Sequence, residues 1–154
     1  MELQFTLNSR PTVCETEPNE TLYQVLRKKG ISSVKCGCET TSCGLCTVIL
    51  NEKAVLSCSV PAARCAGKNV VTLEGIGREA ETLGDYLAAE GAEQCGFCTP
   101  GLIVNAVCMA RENPDIDDEG MAVYLAGNLC RCTGYEGQRR AIRKWLDARK
   151  RGEC

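Results

Sequence analysis

The sequence predicts an α+β protein with a strand-rich first half and a helical second half. Residues 2–7 alternate strictly between polar and apolar side chains, which is the pattern of a half-buried strand. Three further short apolar segments follow in the same half: residues 47–50, 54–57 and 70–73. From residue 82 onward, apolar residues recur at helical spacing. Since residues 74–81 are polar and glycine-bearing, we expect two domains, residues 1–76 and 77–154.

The composition excludes several classes of function. The apolar fraction of 44% and the charged fraction of 25% are those of a globular protein. A net charge of −2 provides no basic footprint for nucleic acid, and no run of about 18 apolar residues is present to span a bilayer. The first residues lack a basic and hydrophobic leader, so we expect no signal peptide and a cytoplasmic location.

Cysteine is the residue type that most needs an explanation, because the chain has 13 cysteines and no histidine. In a reducing compartment, many thiols indicate metal or redox chemistry, and an odd count disfavours a complete disulfide framework. The lack of histidine removes the Cys/His zinc schemes and any histidine-based catalysis. We therefore expect metal sites whose ligands are thiolates.

The first half opens with a predicted hairpin, because residues 8–11 have turn chemistry and a second strand follows over residues 12–16. A helix is predicted over residues 21–29, with Gly30 as its end. Its apolar face holds Leu22, Val25 and Leu26.

The next stretch, KCGCETTSCGLCT from residue 35, has no periodicity and is predicted to be a loop. Cys38, Cys43 and Cys46 have the spacing C-x4-C-x2-C, which is the plant-type ferredoxin pattern for a 2Fe-2S cluster. Cys58, just after a short hairpin, is the best candidate for the fourth ligand. The glycines of the loop allow close backbone approach, so that amide N–H groups can reach cluster sulfurs.

The second half contains two cysteine motifs, QCGFCTPG from residue 94 and NLCRCTGY from residue 128. They hold Cys95, Cys98, Cys130 and Cys132. Thr99 is predicted to cap, and Pro100 to begin, a helix whose residues 101–110 are apolar except for Asn105. A second helix, over residues 137–149, follows the other motif. Two helix N-termini would then offer N–H groups and partial positive charge to an anionic metal-sulfur site.

Two more helices complete the second half. Thr82 is predicted to cap a helix that runs to residue 90, and Asp117 to cap one that runs to residue 126. The last helix of the chain directs Ile142, Trp145 and Leu146 inward. Its outer face is basic, with Arg139, Arg140, Arg143, Lys144, Arg149, Lys150 and Arg151. Such a face is ordinarily solvated, and partner docking is the alternative.

In combination, the motifs resemble the small iron-sulfur subunit of the molybdenum hydroxylase family, which includes xanthine, nicotinate and carbon monoxide dehydrogenases and aldehyde oxidoreductase. The resemblance covers essentially the whole chain. It implies an N-terminal plant-ferredoxin-like β-grasp domain followed by a C-terminal four-helix bundle, each with one 2Fe-2S cluster. The implied ligands are Cys38, Cys43, Cys46 and Cys58 for the first cluster and Cys95, Cys98, Cys130 and Cys132 for the second.

The resemblance also implies the function, which is that of an electron-transfer subunit in a hetero-oligomeric enzyme. Such a subunit relays single electrons from the molybdenum centre of a large molybdopterin-binding subunit to FAD in a medium subunit. By the same resemblance, Gln94 would hydrogen-bond the pterin, and Cys132 would lie against the pterin ring while it binds iron. No catalytic residue is expected in this chain.

Two departures from the family pattern stand out. Thr41 occupies a position where glycine is usual, so that it requires a negative φ or strain. The sequence EGQRR, residues 136–140, replaces a more apolar continuation.

Five cysteines are left over: Cys14, Cys36, Cys65, Cys108 and Cys154. Cys65 and Cys108 are expected as small buried apolar residues, and Cys154 as a free thiol on a loose tail. The offset of Cys36 from Cys38 would allow exchange of a ligand, which its spacing disfavours. Two other functions are kept as alternatives, namely a zinc-stabilised structural module with two four-cysteine sites and a free-standing ferredoxin.

Overall fold

A computed structural model describes all residues, 1–154, and shows a mixed five-stranded sheet followed by a helical half. The strands are β1 (Glu2–Leu7), β2 (Arg10–Glu15), β3 (Thr47–Leu50), β4 (Lys53–Leu56) and β5 (Asn69–Val71). The helices are α1 (Leu22–Lys28), α2 (Leu73–Ile76), α3 (Arg78–Ala89), α4 (Thr99–Glu112), α5 (Asp118–Leu125) and α6 (Glu136–Lys150). The expected α+β class is confirmed.

The strand order of the sheet is β2-β1-β5-β3-β4. The pair β1 and β5 is parallel, whereas the other neighbouring pairs are antiparallel. In β3, Val48 packs into the core under α1, while the next residue, Ile49, packs into the core of the helical half. Both faces of the central strands are therefore covered, which explains why the sequence of β3 is apolar throughout.

The opening hairpin and the first helix agree with the sequence pattern. Leu3, Phe5 and Leu7 are buried along one side of β1. The turn is confined to Asn8 and Ser9, both at positive φ (49° and 65°), so that β2 begins two residues earlier than predicted. Helix α1 begins with a capping box between Thr21 and Gln24, and its apolar face is buried as predicted.

The polar segment at residues 74–81, where the sequence predicted a domain boundary, is largely helical. Residues Leu73–Ile76 form α2, so that the predicted strand over residues 70–73 ends at Val71. Gly77, at φ 71°, then breaks the chain direction, and α3 begins at Arg78. Thr82 is therefore inside α3 and does not cap it, because contacts of α2 and α3 with α4 outweigh the polar composition.

The hydroxyl of Thr82 has another role, since it accepts a hydrogen bond from Nε1–H of the fully buried Trp145 at 3.3 Å. Thr82→Val is expected to leave this indole N–H unpaired and to destabilise the protein by about 1–3 kcal/mol. Thermal unfolding of the cluster-loaded protein measures this as a lower Tm. Thr82→Ser keeps the acceptor and should stay near the wild-type Tm; equal losses in the two variants would contradict the hydrogen bond's role.

Helix α4 lies at the centre of the helical half. Residues 101–110 are all buried except Asn105, as the all-round apolar sequence predicted. Helices α3 and α5 contact α4, and α6 packs on α3 and α5. Asp117 caps α5 by accepting the N–H of Gly120, as predicted. None of the six helices has the length and apolarity that crossing a membrane would require.

Helix α6 buries Ile142, Trp145 and Leu146 as predicted. Its basic side chains are mostly paired within the molecule. Arg140 and Lys144 both bind Glu90; the other inter-element pairs are Arg143 with Asp118, Arg149 with Glu79, and Lys150 with Asp115. These pairs connect α6 to α3, to α5 and to the turn before α5, which favours the solvated-face interpretation over partner docking.

Candidate metal centres

The eight predicted ligand cysteines lie in two groups. The first group comes from the loop between α1 and β3, together with Cys58 in a single 3-10 turn after β4. The second group comes from the loops that precede α4 and α6. Helix α4 begins directly after Cys98, which is its N-cap residue, so the predicted cap at Thr99 is wrong. No side chain caps this helix, and Cys98 itself lies at the positive end of the helix dipole.

Within each group the thiols are arranged in pairs. Cys95 Sγ and Cys132 Sγ are 3.6 Å apart. Three further pairs of thiols are close neighbours: Cys98 with Cys130, Cys38 with Cys43, and Cys46 with Cys58. No three metal-binding side chains of the chain converge as the ligands of one ion would.

This pairing discriminates between the two metals that four cysteines commonly bind. A tetrahedral zinc site places each of its four sulfurs roughly 3.8 Å from the other three. A 2Fe-2S cluster takes two cysteines on each of two irons, so its ligand sulfurs are close only in pairs. The residues present therefore fit a two-iron cluster better than a single zinc ion.

The local environment lowers the pKa of some thiols in each group and raises that of others. Donation from the N–H of Ser42, 3.4 Å from Sγ, is the main cause that lowers the pKa of Cys38 to about 6. Burial opposes ionisation of Cys130, but hydrogen bonds from its own loop lower its pKa to about 7. Burial raises the pKa of Cys58 to about 12 and that of Cys98 to about 11. A metal must therefore displace protons from the buried thiols when it binds.

Three hydrogen bonds hold the loop that precedes α6. The N–H of Cys130 donates to Tyr135 Oη at 3.0 Å, and the N–H of Tyr135 donates to Thr133 Oγ1 at 3.3 Å. Thr133 Oγ1 donates in turn to Cys130 Sγ at 3.2 Å. Tyr135 adopts φ 70°, a left-handed conformation that costs a non-glycine residue on the order of 1 kcal/mol or more.

Gln138, in the first turns of α6, donates from Nε2 to Cys98 Sγ at 3.6 Å and is only 4% exposed. None of these sulfur contacts was predicted from the sequence. One signal was available for Gln138, which lies four residues before Ile142 and seven before Trp145 on the apolar stripe of the helix. A polar residue at a core-facing position requires a buried partner.

The two groups are joined by direct contacts between their loops. The N–H of Leu129 donates to the carbonyl of Cys43 at 2.9 Å, and Leu129 immediately precedes Cys130. Asn128 Nδ2 donates to the carbonyl of Gly44 at 3.3 Å. The Oδ1 atom of Asn128 accepts a 2.5 Å hydrogen bond from Asn105, which explains the one polar residue on the enclosed face of α4. A single hydrogen bond therefore links the backbone of Cys43, in the first group, to the residue next to Cys130, in the second group.

A cavity of about 500 Å³ lies between the loops. Six of the eight predicted ligands line it: Cys38, Cys43, Cys95, Cys98, Cys130 and Cys132. Its rim carries Phe97, Leu129 and Tyr135, which are 39–46% exposed. Cys95 and Cys132 are exposed, as is Gln94 beside them. The second group therefore faces the protein surface, whereas Cys43 and Cys46 of the first group are buried.

The predictions for the remaining residues singled out from the sequence are confirmed only in part. Thr41 adopts φ 55°, so the strained alternative is the one observed. Cys65 and Cys108 are buried as expected. Cys154 is a free thiol as expected, but it packs against the helical core with Sγ 3.9 Å from the carbonyl of Trp145, so the predicted loose tail is wrong. Cys36 is exposed and donates to the carbonyl of Cys38 at 3.1 Å.

Comparison with known proteins identifies both halves. Residues 5–70 match the family described as a 2Fe-2S iron-sulfur cluster binding domain, and residues 72–143 match the family described as a 2Fe-2S binding domain. The chain is thus an iron-sulfur protein with two 2Fe-2S domains.

Individual relatives show which kind of iron-sulfur protein the chain resembles. The chain is 40% identical to the nicotinate dehydrogenase small FeS subunit of Eubacterium barkeri, over 92% of each chain. It is 42% identical to the xanthine dehydrogenase iron-sulfur-binding subunit of Escherichia coli O157:H7, over 87% of each. The crystal structure of quinoline 2-oxidoreductase from Pseudomonas putida 86 superposes with a TM-score of 0.89 at 35% identity, covering 100% of this chain and 98% of that one.

The chain therefore belongs to the family of small iron-sulfur subunits of the molybdenum hydroxylases. It is the electron-transfer, iron-sulfur subunit of a multi-subunit oxidoreductase, and it binds two 2Fe-2S clusters. The ferredoxin-like and helical halves expected from the resemblance agree with the matched structure.

Proposed function

We propose that the eight paired cysteines are the cluster ligands. The first cluster is held by Cys38, Cys43, Cys46 and Cys58, and the second by Cys95, Cys98, Cys130 and Cys132. The single observation that carries this proposal is the pairing of thiols in each group without convergence of any three on one point. Bound clusters supply one-electron transfer, because iron changes valence with little rearrangement of its thiolate ligands.

The two clusters define two domains, residues 1–76 and 77–154. Support comes from the two hydrophobic cores, one centred on β1, α1 and β5 and the other on the four long helices. Gly77, at φ 71°, separates α2 from α3 at the proposed boundary. Ile76 joins the helical core, so the two domains share a packed interface and hold their sites at a constant separation.

The proposed partners are a large molybdopterin-binding subunit and a medium FAD-binding subunit, with the complex in the cytoplasm. The exposed apolar rim of Phe97, Leu129 and Tyr135 around the second site supports docking of a large chain there. Gln94 and Cys132 are exposed at this surface, where they are available to the pterin. None of the 13 cysteines forms a disulfide, which suits a reducing compartment.

Electrons travel between the two sites through this chain's own residues. The hydrogen bond from the Leu129 N–H to the Cys43 carbonyl provides a direct connection, since Leu129 is bonded to Cys130. The side chain of the buried Asn128 donates to the carbonyl of Gly44 and so fastens the same two loops together. The chain thereby relays single electrons from the molybdenum side to the flavin side without making any bond to substrate.

Anaerobic purification of the chain with its neighbours tests the function. We expect about four iron atoms and four acid-labile sulfides per chain, a red-brown colour, and two distinct EPR signals after reduction with dithionite. Larger chains that contain molybdenum and FAD should co-purify. Colourless, folded, zinc-containing protein would overturn the proposal in favour of the zinc module, and a chain that purifies alone with both clusters would indicate a free-standing ferredoxin.

A further inference from the structure

Hydrogen bonding to the eight predicted ligand sulfurs is unevenly distributed. Only two side chains other than cysteine donate to any of them, Thr133 to Cys130 and Gln138 to Cys98. Both acceptors belong to the same sulfur pair of the second group. The other pair of that group, Cys95 and Cys132, is exposed. Cys38 receives a backbone donor only, from Ser42.

Gln138 has no structural reason to be polar. It lies on the buried stripe of α6, where its neighbours one and two turns further along are Ile142 and Trp145. Burial of an amide without a hydrogen-bond partner is unfavourable. Cys98 Sγ is the partner that this amide finds. A sulfur that carries negative charge makes this position favourable, because hydrogen bonds to charged acceptors are about twice as strong as neutral ones.

The Thr133 hydroxyl is directed at its sulfur by the loop itself. Since the N–H of Tyr135 occupies an acceptor site on Oγ1, the hydroxyl proton is left to point at Cys130 Sγ. Tyr135 is itself held by accepting the N–H of Cys130, and it tolerates a left-handed backbone to do so. The strained residue therefore serves to orient a donor toward a ligand sulfur.

We propose that Thr133 and Gln138 are positioning residues that raise the reduction potential of the second cluster. This inference rests on the proposed ligand assignment. Reduction adds one negative charge that is shared by the cluster and its thiolates, so donors to those sulfurs stabilise the reduced state more than the oxidised state.

Redox titration of the purified, cluster-loaded complex, followed by EPR, tests the inference. Thr133→Val and Gln138→Met each remove a donor while they preserve approximate shape. In each variant we expect the reduced-to-oxidised ratio of the second cluster, at a set potential, to fall by about tenfold, which corresponds to about 59 mV for one electron. Thr133→Ser keeps the hydroxyl and should restore the wild-type ratio. The first cluster should titrate as in the wild type in every variant.

An intact second signal with an unchanged potential in both donor variants would overturn the inference. If Thr133→Val fails to load the second cluster, the potential of that cluster in Gln138→Met decides whether the inference stands. A lower Tm without any change of potential would assign these residues a purely structural role. The ligand assignment is tested separately by Cys130→Ser, because persistence of the second signal in that variant would refute the assignment whatever the donor variants show.

Discussion

Replacement of Cys98 by serine is expected to abolish the cluster of the helical half while the cluster of the sheet half is retained. Cys98 lies at the N-terminus of α4, and its pair partner Cys130 comes from a separate loop, so no other thiol can take its place without moving a helix. The expected readout is the loss of one of the two EPR signals and of about half of the iron. Electron transfer from the molybdenum side should stop at the same time.

Cys36→Ser is the matched control. Cys36 is an exposed thiol next to the first site, but it is not a proposed ligand. Both EPR signals should survive in this variant with the full iron content. Two intact signals in Cys98→Ser would reject the ligand set, and loss of the first signal in Cys36→Ser would reveal Cys36 as a ligand.

Gly44→Ala is expected to disrupt the junction between the two sites. Gly44 has φ 76°, and a Cβ atom there would lie 2.4 Å from the carbonyl oxygen of Gly127 and 2.8 Å from Asn128 Nδ2. Backbone strain and overpacking together should destabilise the protein by about 3 kcal/mol. Because the neighbouring Cys43 carbonyl accepts the N–H of Leu129, electron exchange between the clusters should also become slower.

Gly67→Ala is the control that separates backbone strain from overpacking. Gly67 has a similar φ of 68°, but nothing lies within 4 Å of its added Cβ. It should show the strain alone, about 1 kcal/mol, with wild-type electron exchange. Thermal unfolding and rapid-freeze EPR after a sub-stoichiometric pulse of reductant measure the two effects. If both alanine variants behaved alike, the close approach of the two loops would not matter for either property.

Local patterns predicted most of the elements correctly. The alternation of β1, the capped apolar face of α1 and the enclosed α4 all follow from side-chain periodicity over a few residues. The misplaced start of α3 had a different cause. Residues 74–81 are polar, but α2 and the first turn of α3 are held by contacts with α4, which is distant in the sequence.

For the candidate sites, the spacing of cysteines along the chain determined which eight thiols are the proposed ligands, because short loops restrict which sulfurs can meet. Only the tertiary structure decided how they pair, for example Cys95 with Cys132 across 37 residues. It alone decided that Leu129 bridges to Cys43, and that Gln138 donates to Cys98. Covalent spacing acts over a few residues, whereas these contacts depend on how α4, α6 and the sheet pack together.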